Sequence, residues 1–351
     1  MIVVNVNDIP DNAILARDVR NESGVVLLGK GYEITPDIVD KLIENDIHSV
    51  WINIHGKEVD TFSTETIQDD IFEGISQAIE SKIRFKDENE MKQISEKTYE
   101  IIRKIIQDEN VMNCMINVKR KTDNIYFHMI NVAILSIVMS IKIGLHEKCL
   151  MDIGKGALLH DIGLCDVEIE YQNVEVDKLS SKDKMIYRRH VIEGYEIIRK
   201  YEWISDMVKL IVLSHHEKDD GSGYPFHKKS DRIPLEVKIV AVCDYFDEMV
   251  NGIGFERKKV YEVVEYLRTI GAYLFDFDVV TKIISNIAWF PNGSKVIIND
   301  GNIAEIISQN KGLPDRPIIR LIQDSNGNYY EEKIIKDLTE CLTVFIIDTV
   351  E

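Results

Sequence analysis

The sequence predicts a mainly α-helical protein that carries a small α+β module at its N-terminus and a β-rich appendage at its C-terminus. Three observations lead to this fold class. Apolar and polar residues alternate between turn signals over residues 1–58, as in short strands. Apolar residues then recur at helical spacing over much of residues 59–290. After Pro291, Asn-Gly and Asp-Gly turns separate short apolar runs, which is typical of antiparallel strands.

The N-terminal module, residues 1–58, combines strand and helix signals. Residues 25–28 and 47–54 have strand character. Between them, Thr35 and Pro36 are suited to the cap and the first position of a helix. The apolar residues that would share one face of this helix are Ile38, Leu42 and Ile43.

A helical linker is predicted over residues 59–117. Charged residues surround apolar ones at near-helical period, namely Ile67, Ile71, Ile75, Ile79, Ile94, Ile101 and Ile105. Such amphipathic helices could pack within the chain, against a protein partner or against a second subunit in a homodimer. The sequence leaves these alternatives open.

Residues 118–290 form the predicted chemical domain, and residues 291–351 the β-rich appendage. In the former, the most apolar stretch, 132–143, contains two serines and a lysine and is shorter than the roughly 20 residues that cross a bilayer. We therefore expect a buried core helix there. In the appendage, strands are expected at residues 295–298, 303–307, 318–322 and 343–347.

The composition limits the partners of this chain. Its formal net charge of −18 opposes binding to nucleic acid polymers and to anionic membranes. The N-terminus lacks the basic region, apolar core and cleavage site of a signal peptide. Its five scattered cysteines include no C-x-x-C pair, which fits reduced thiols. We therefore expect a cytoplasmic protein that binds neither nucleic acid polymer nor membrane.

Two paired motifs carry metal-ligand chemistry. His160 and Asp161 end an apolar helical run, and imidazole and carboxylate suit borderline divalent metals, with an aspartate able to bridge two ions. His215 and His216 end a second apolar run; projecting about 100° apart, both could face one metal site. Each motif alone also fits a structural role: a hydrogen-bonded pair for the first, solvent-facing histidines before a turn for the second.

A glycine-rich loop follows the second pair, with Gly221, Gly223, Tyr224 and Pro225 as its characteristic residues. Glycine and proline permit a compact turn, whose exposed N–H groups could approach a phosphate. A surface turn is the alternative.

Three further candidates lie in the same domain: His128, His190 and Asp244. We place Asp244 at the end of an apolar helix or strand, where a carboxylate is costly unless it is paired, protonated or bound to metal. A lone histidine is more often a hydrogen-bonded core residue than a ligand.

Taken together, these residues resemble the HD-GYP family of HD metal-dependent phosphohydrolases. The resemblance runs from about residue 119 to 290 and rests on the order of the histidines and aspartates and on the segment HHEKDDGSGYP. It implies an HD-type helical bundle that hydrolyses cyclic di-GMP, and the flanking modules resemble those of other members.

The resemblance also implies two divalent metal ions, with iron or manganese favoured. His128, His160, Asp161 and Asp244 would hold one ion, while His190, His215 and His216 would hold the second. Asp161 would bridge the two and is the residue assigned to catalysis. Two such ions activate water near neutral pH and neutralise charge in phosphodiester cleavage.

The chain departs from the family pattern at three positions. Asn124 replaces a glutamate that can add a third metal, so a dinuclear site is expected. Leu164 replaces the lysine of H-D-x-G-K, which would cost roughly 100-fold in rate if that lysine stabilises developing charge. Ile253 opens the segment that usually reads R-P-Y-R. The basic residues Arg257 and Lys258 follow shortly after; they are candidates for binding substrate if the loop is re-routed, and otherwise form a solvated helix face.

Two functions follow from this pattern. The first is a metal-dependent phosphodiesterase that cleaves cyclic di-GMP or a related cyclic dinucleotide, slowly if the missing cations matter. The second is a catalytically degenerate module that senses a cyclic dinucleotide and keeps its metal site.

Overall fold

The computed structural model describes most of the C-terminal two thirds of the chain and separate segments of the rest. The described residues are 2–5, 13–15, 19–20, 26–29, 31–44, 49–53, 61–63, 92, 96, 99, 103, 115–117, 125–165, 167–310 and 312–350. The chain divides into two compact units, one formed by Met1–Thr61 with Asn292–Glu351 and the other by Phe62–Pro291. The finer division into four segments stays a prediction.

The described N-terminal residues contain five strands and one helix. The strands are β1 (Ile2–Asn5), β2 (Ile14–Leu15), β3 (Val19–Arg20), β4 (Val26–Leu28) and β5 (Ser49–Asn53). β5 pairs antiparallel with β1 and β2, and β3 pairs with β4. Helix α1 (Pro36–Glu44) begins at the proline, as predicted. It buries Leu42, whereas Ile43, expected on the same face, is exposed.

The predicted linker contains two strands that the sequence did not suggest. Strands β6 (Thr61–Ser63) and β7 (Met115–Asn117) form a two-stranded sheet. Between them, the backbone is helical at the four described residues, which are Lys92, Glu96, Tyr99 and Arg103. The expectation of helix alone is therefore wrong at both ends, and the seven isoleucines that suggested it lie outside the described residues.

The second unit is a helical bundle. Over the described residues of 125–291, its α-helices are α2 (Ile125–Ile143), α3 (Glu147–Leu159), α4 (Ser181–Arg188), α5 (His190–Ile198), α6 (Asp206–Ser214), α7 (Leu235–Asn251), α8 (Val260–Tyr266), α9 (Ala272–Leu274) and α10 (Phe277–Ile284). Short 3₁₀ turns occur at Ile162–Leu164, Val176–Lys178 and Ser230–Arg232, and a π-helical turn at Leu267–Gly271 links α8 to α9.

Helix α2 forms the centre of this bundle. It packs against α3 and α7, and because it is apolar on nearly all sides it is buried along most of its length. It is long and apolar enough to cross a membrane by composition alone, but 89% of the apolar window is buried inside the protein. The predicted buried core helix is thus confirmed, with bounds wider than the sequence suggested.

A close approach at Gly163 positions the turn after α3. A Cβ atom on this residue would lie 2.1 Å from the carbonyl oxygen of His190 and 2.8 Å from the backbone nitrogen of Gly194. Only glycine can fit there, because both neighbours are backbone atoms that cannot move aside. The turn that carries His160 and Asp161 therefore packs directly on α5, which begins at His190.

The C-terminal sheet has five strands in the order β11-β10-β9-β8-β12. These are β8 (Lys295–Ile298), β9 (Ile303–Ser308), β10 (Ile318–Gln323), β11 (Ile335–Asp337) and β12 (Ile346–Thr349), all paired antiparallel. Alternate residues such as Val296, Ala304 and Ile319 are buried, as one buried face requires. The first three strands match the prediction; β12 begins three residues late, and β11 was not predicted.

Candidate metal centre

Five helices bring the predicted ligands together. His128 lies in the first turn of α2, His160 and Asp161 follow α3, His190 begins α5, His215 and His216 follow α6, and Asp244 lies on α7. The expectation that Asp244 ends an apolar element is wrong, because α7 continues to Asn251. Its carboxylate is therefore buried mid-helix, at 1% exposure.

The ligand atoms form two overlapping groups. One contains His128, His160, Asp161 and Asp244, and the other contains Asp161, His190, His215 and His216; within each group the candidate atoms lie within 4.8 Å of one another. Asp161 belongs to both. These are the two ligand sets that the family resemblance implies, and their role in binding metal remains a prediction.

The two oxygens of Asp161 face different histidines. Oδ2 lies 3.4 Å from Nε2 of both His128 and His160. Oδ1 lies 3.2 Å from Nε2 of His190 and 3.5 Å from Nε2 of His215. One carboxylate thus offers one oxygen to each group, which is the geometry that bridging two cations requires.

Four histidine rings are fixed so that Nε2 points into the cluster. The Nδ1 atom of His128 lies 2.8 Å from Oδ2 of Asp247. Nδ1 of the other three donates to a main-chain carbonyl: His160 to Ala157 at 2.6 Å, His190 to Tyr187 at 2.7 Å and His215 to Val212 at 3.0 Å. A proton on Nδ1 leaves the Nε2 lone pair free, which is the usual arrangement of a metal-binding histidine.

The spacing of these atoms fits shared cations. Nε2 of His160 lies 3.2 Å from Nε2 of His128, and Nε2 of His190 lies 3.3 Å from Nε2 of His215. Two acceptor nitrogens at this distance repel unless a positive charge lies between them. Ligands about 2.1 Å from one ion lie roughly 3.0 to 3.5 Å apart, so the observed spacing suits a common ion.

Several buried acceptor atoms in the cluster have close neighbours but make no hydrogen bond of good geometry with any residue that the structure describes. They are Oδ1 of Asp161, both carboxylate oxygens of Asp244 and Nε2 of His216. Burying such groups unsatisfied is costly. Divalent cations would satisfy all of them, so the residues present fit a metal site.

The charged groups of the cluster shift one another's pKa values. Burial would lower the pKa of His160, but the negative charges of Asp161 and Asp244 beside it raise this pKa to about 10. Burial also opposes the ionised form of Asp161, but the charge of His160 and contacts with the neighbouring histidines hold the pKa of Asp161 well below its usual range. Positive charge beside these carboxylates stabilises their ionised form, which is the form that binds a metal ion.

Two acidic residues that sequence reasoning missed support the cluster. Asp247, which is fully buried, accepts from His128 and from the side-chain amide of Asn251 at 2.9 Å. Glu217 is buried beside the paired histidines and accepts from the backbone N–H groups of Phe226 and Lys228. Asp247 lies one helical turn after Asp244, and this spacing was a signal available in the sequence.

Glu248 forms a third group with His216 and Asp244. It is 3% exposed and accepts a 3.1 Å hydrogen bond from the Tyr187 hydroxyl. Burial, followed by the negative charge of Asp244, raises the pKa of Glu248 well above its usual range. The sequence did not indicate a role for Glu248, because a glutamate within a predicted helix is ordinarily exposed to solvent.

A cavity opens beside the cluster and is lined by His216, Tyr224, Glu248, Tyr187, Arg188 and Lys218, among others. The ring of Tyr224 stacks on that of His216, with centroids 4.7 Å apart and planes 24° apart. Arg188 and Lys218 were not predicted to contribute. Their positions near His190 and His216 in the sequence were the available signal.

The glycine-rich loop is compact, as expected. Gly223 also lines the cavity, and a Cβ there would lie 2.3 Å from the backbone nitrogen of Lys218. However, the N–H groups of Gly221, Ser222 and Tyr224 donate to Lys218 O, Asp220 Oδ1 and His216 O. These three groups are already engaged, so phosphate binding by the loop backbone stays a prediction that the geometry does not favour. Pro225 lines a neighbouring cavity with Tyr224.

The positions where the family keeps basic residues are apolar and packed. Leu164 and Ile253 are each 1% exposed and belong to one small core cluster with Tyr187 and Val176. Asn124 lies outside the described residues.

The two basic residues predicted to bind substrate, Arg257 and Lys258, lie away from the cavity beside the cluster. Arg257 donates from Nε to the carbonyl of Asn251 at 3.2 Å, and neither Arg257 nor Lys258 lines the cavity beside the cluster. Their proposed role in substrate binding stays a prediction.

Comparison with known proteins agrees with this geometry. The HD domain family matches residues 100–279, and the KOW domain associated with HD domains matches residues 295–351. The solved structure of Bd1817, an HDG"Y"P protein from Bdellovibrio bacteriovorus, covers 81% of this chain and 98% of its own, with a TM-score of 0.53 at 16% identity. At this identity the likeness shows the fold alone.

Curated relatives match part of this chain. The cyclic di-GMP phosphodiesterase PA4108 of Pseudomonas aeruginosa is 26% identical over 60% of this chain and 50% of its own length. The response regulator RpfG of Xanthomonas campestris, also named a cyclic di-GMP phosphodiesterase, is 32% identical over 38% of this chain and 36% of its own. The chain spans about half the length of the first such relatives. By the matched domain, its fold and its intact signature, this chain belongs to the HD-GYP family of HD-domain proteins.

Proposed function

We propose that this protein is a metal-dependent phosphodiesterase that hydrolyses cyclic di-GMP or a related cyclic dinucleotide. The observation that carries the proposal is the position of Asp161, which directs one oxygen to each of two histidine pairs. The names of the curated relatives, which include cyclic di-GMP and 3'3'-cGAMP phosphodiesterases, support the substrate class.

Two divalent ions, iron or manganese by preference, would be held by the seven ligands. Mixed imidazole and carboxylate sets suit these metals but also cobalt, nickel and zinc. When bound, such ions supply an activated water near neutral pH and neutralise charge on the phosphate.

The chain's own residues contribute orientation. Hydrogen bonds at Nδ1 hold four imidazoles with Nε2 directed into the cluster. Fixing the ligands before substrate arrives lowers the reorganisation cost of the reaction. Tyr224, stacked on His216 at the mouth of the cluster, offers an aromatic surface to a purine base.

A second candidate is a sensor that binds a cyclic dinucleotide without cleaving it. The observation that favours it is the apolar packing of Leu164 and Ile253, which removes two cations that family members direct at phosphate. In this case the metal site would be kept for binding alone.

Product analysis distinguishes these functions. Purified protein, loaded with Mn²⁺ or Fe²⁺ under anaerobic conditions, is incubated with cyclic di-GMP and with 3'3'-cGAMP and analysed by chromatography. A linear dinucleotide or mononucleotide that disappears in His160→Ala supports the enzyme. Saturable binding without product supports the sensor, and neither binding nor product contradicts both.

A further inference from the structure

We propose that Arg188 and Lys218 bind the phosphates of the substrate in place of the cations that are absent at positions 164 and 253. This inference rests on the proposed function, since it assigns the phosphate-binding groups of the same site. Both residues line the cavity beside the metal cluster. Each also holds its charge against the face of a tyrosine in that cavity.

The need for such cations follows from the charge of the cavity. Its lining includes the carboxylates of Glu175 and Asp177, and the chain as a whole carries a formal net charge of −18. A dinucleotide with two phosphates would be repelled unless local positive charges offset this field. The buried leucine and isoleucine cannot supply them, and three loop N–H groups already have acceptors.

Arg188 is placed to reach a ligand bound at the cluster. It is the last residue of α4, two positions before His190, and its guanidinium carbon lies 5.3 Å from the centroid of the Tyr224 ring. Tyr224 in turn stacks on His216. Its five donors in a planar fork match the oxygens of a phosphate.

The ion pair that Arg188 makes is weak enough to be exchanged. Its Nη2 donates to Oδ1 of Asp177 at 3.0 Å, but the two side chains are 47% and 79% exposed. Exposed pairs of this kind contribute little to stability. A phosphate that enters the cavity can therefore take over this donor at low cost.

Lys218 offers a second positive charge, which has fewer competing contacts than that of Arg188. It lies two residues after His216, and its ammonium nitrogen is 5.1 Å from the centroid of the Tyr245 ring. This nitrogen makes no ion pair or hydrogen bond with any residue that the structure describes. It is half-buried, so a bound phosphate would gain a partly desolvated cation.

A neighbouring cavity extends the same surface. Arg188 and Tyr224 line it too, together with two more basic residues, Lys184 and Arg189. A ligand that spans both cavities would meet three or four cations, which suits a molecule with two phosphates better than a mononucleotide. The site thus favours a dinucleotide.

The test measures binding and turnover of cyclic di-GMP by metal-loaded protein carrying Arg188→Met, Lys218→Met or both. Losing a bidentate charge-assisted contact should raise Kd and KM about 10-fold to 100-fold for Arg188→Met, and a single charge somewhat less for Lys218→Met. Arg188→Lys should recover part of the loss. The difference from wild type should shrink in high salt, as screening predicts.

Arg199→Met is the matched control. Arg199 is 57% exposed, pairs with Glu196 at 2.7 Å and lines neither cavity, so its Kd should stay within twofold of wild type. Metal content and thermal stability of every variant should match wild type, because Arg188 and Lys218 contact no predicted ligand through a hydrogen bond.

The outcomes separate this inference from the proposed function. If wild type binds and cleaves cyclic di-GMP while the double variant binds it equally well, the assignment of Arg188 and Lys218 is wrong and the function stands. If metal-loaded wild type neither binds nor cleaves cyclic di-GMP or 3'3'-cGAMP, the function is wrong and this assignment falls with it.

Discussion

The metal cluster and the apolar cluster beside it are built from neighbouring positions with opposite chemistry. Asp161 and Leu164 are three residues apart, yet one bridges two groups of ligands and the other is packed beside Ile253. Every predicted metal ligand is polar and directed inward, whereas both positions that hold cations in the family are apolar here. On the proposed function, metal binding and phosphate binding would be separable parts of this site, with the first kept and the second rebuilt from other residues.

The largest effect is expected from Asp161→Asn, which tests the metal side of the comparison. An amide has no charge and offers one oxygen instead of two, so the bridge between the groups is lost. Turnover should fall at least about 10³-fold, and bound metal, measured by mass spectrometry, should fall below two ions per chain. Asp206→Asn, an exposed position on α6, is the control. Full metal content with near-normal turnover in Asp161→Asn would contradict the bridging role.

Removing the carboxylate behind His128 should weaken metal binding without abolishing it. In Asp247→Ala the acceptor for Nδ1 of His128 is lost, so the imidazole can rotate or take the other tautomer. Metal affinity, measured by competition with a chelator, should fall about 10-fold to 100-fold. Asp247→Asn, which keeps an oxygen, should lie between this variant and wild type. Unchanged affinity in Asp247→Ala would show that packing alone orients the ring.

Leu164→Lys tests the apolar side. The side chain is buried among Met129, Tyr171 and Ile253, so a lysine there places a charge in an apolar cluster. The free energy of unfolding should fall by about 3 kcal/mol, seen as a lower Tm, and turnover should not rise. Leu164→Met, of similar volume, should cost less than about 1.5 kcal/mol. A stable lysine variant with roughly 100-fold faster turnover would show that this position faces the substrate.

A smaller effect is expected from Lys238→Met, outside both clusters. Lys238 is buried on α7, and its Nζ donates to Asp219 at 3.1 Å, Ser230 at 2.6 Å and Asp276 at 2.9 Å. Its loss removes the cation shared by the carboxylates of Asp219 and Asp276, which keep only their neutral donors, and loosens the segment before the glycine-rich loop. Stability should fall by about 1 to 3 kcal/mol, and KM should rise a few-fold while kcat changes little. An unchanged KM would show that the loop is held by its own contacts.

The seven clustered residues could be predicted because the sequence presents them as doublets or in a family order; their role as metal ligands stays a prediction. The acidic residues that support this cluster could not be predicted in the same way. The spacing of Asp247 from Asp244 places both on one helix face, but nothing local indicates that Asp247 and Glu248 are buried. The cations Arg188 and Lys218 were overlooked for the opposite reason, since basic residues at helix ends usually lie in solvent.

Prediction of the fold was also incomplete, mainly at the boundaries of strands. Helix α1 and strands β8 to β10 follow from a proline, from turns and from apolar runs. Strand β12 begins at Ile346 and not near Thr343, and β11 has a single isoleucine. Pairing with neighbouring strands sets these boundaries, and local pattern does not carry that information.

The most direct test of the proposed dinuclear centre is an anaerobic titration of metal-free protein with Mn²⁺. Cleavage of cyclic di-GMP is measured after each addition. Because Asp161 joins two ligand groups, turnover should appear with the second equivalent of metal and stay near background with the first. Binding of two ions per chain should be lost in His160→Ala. Full turnover with one ion, or no stoichiometric metal at all, would contradict the dinuclear centre.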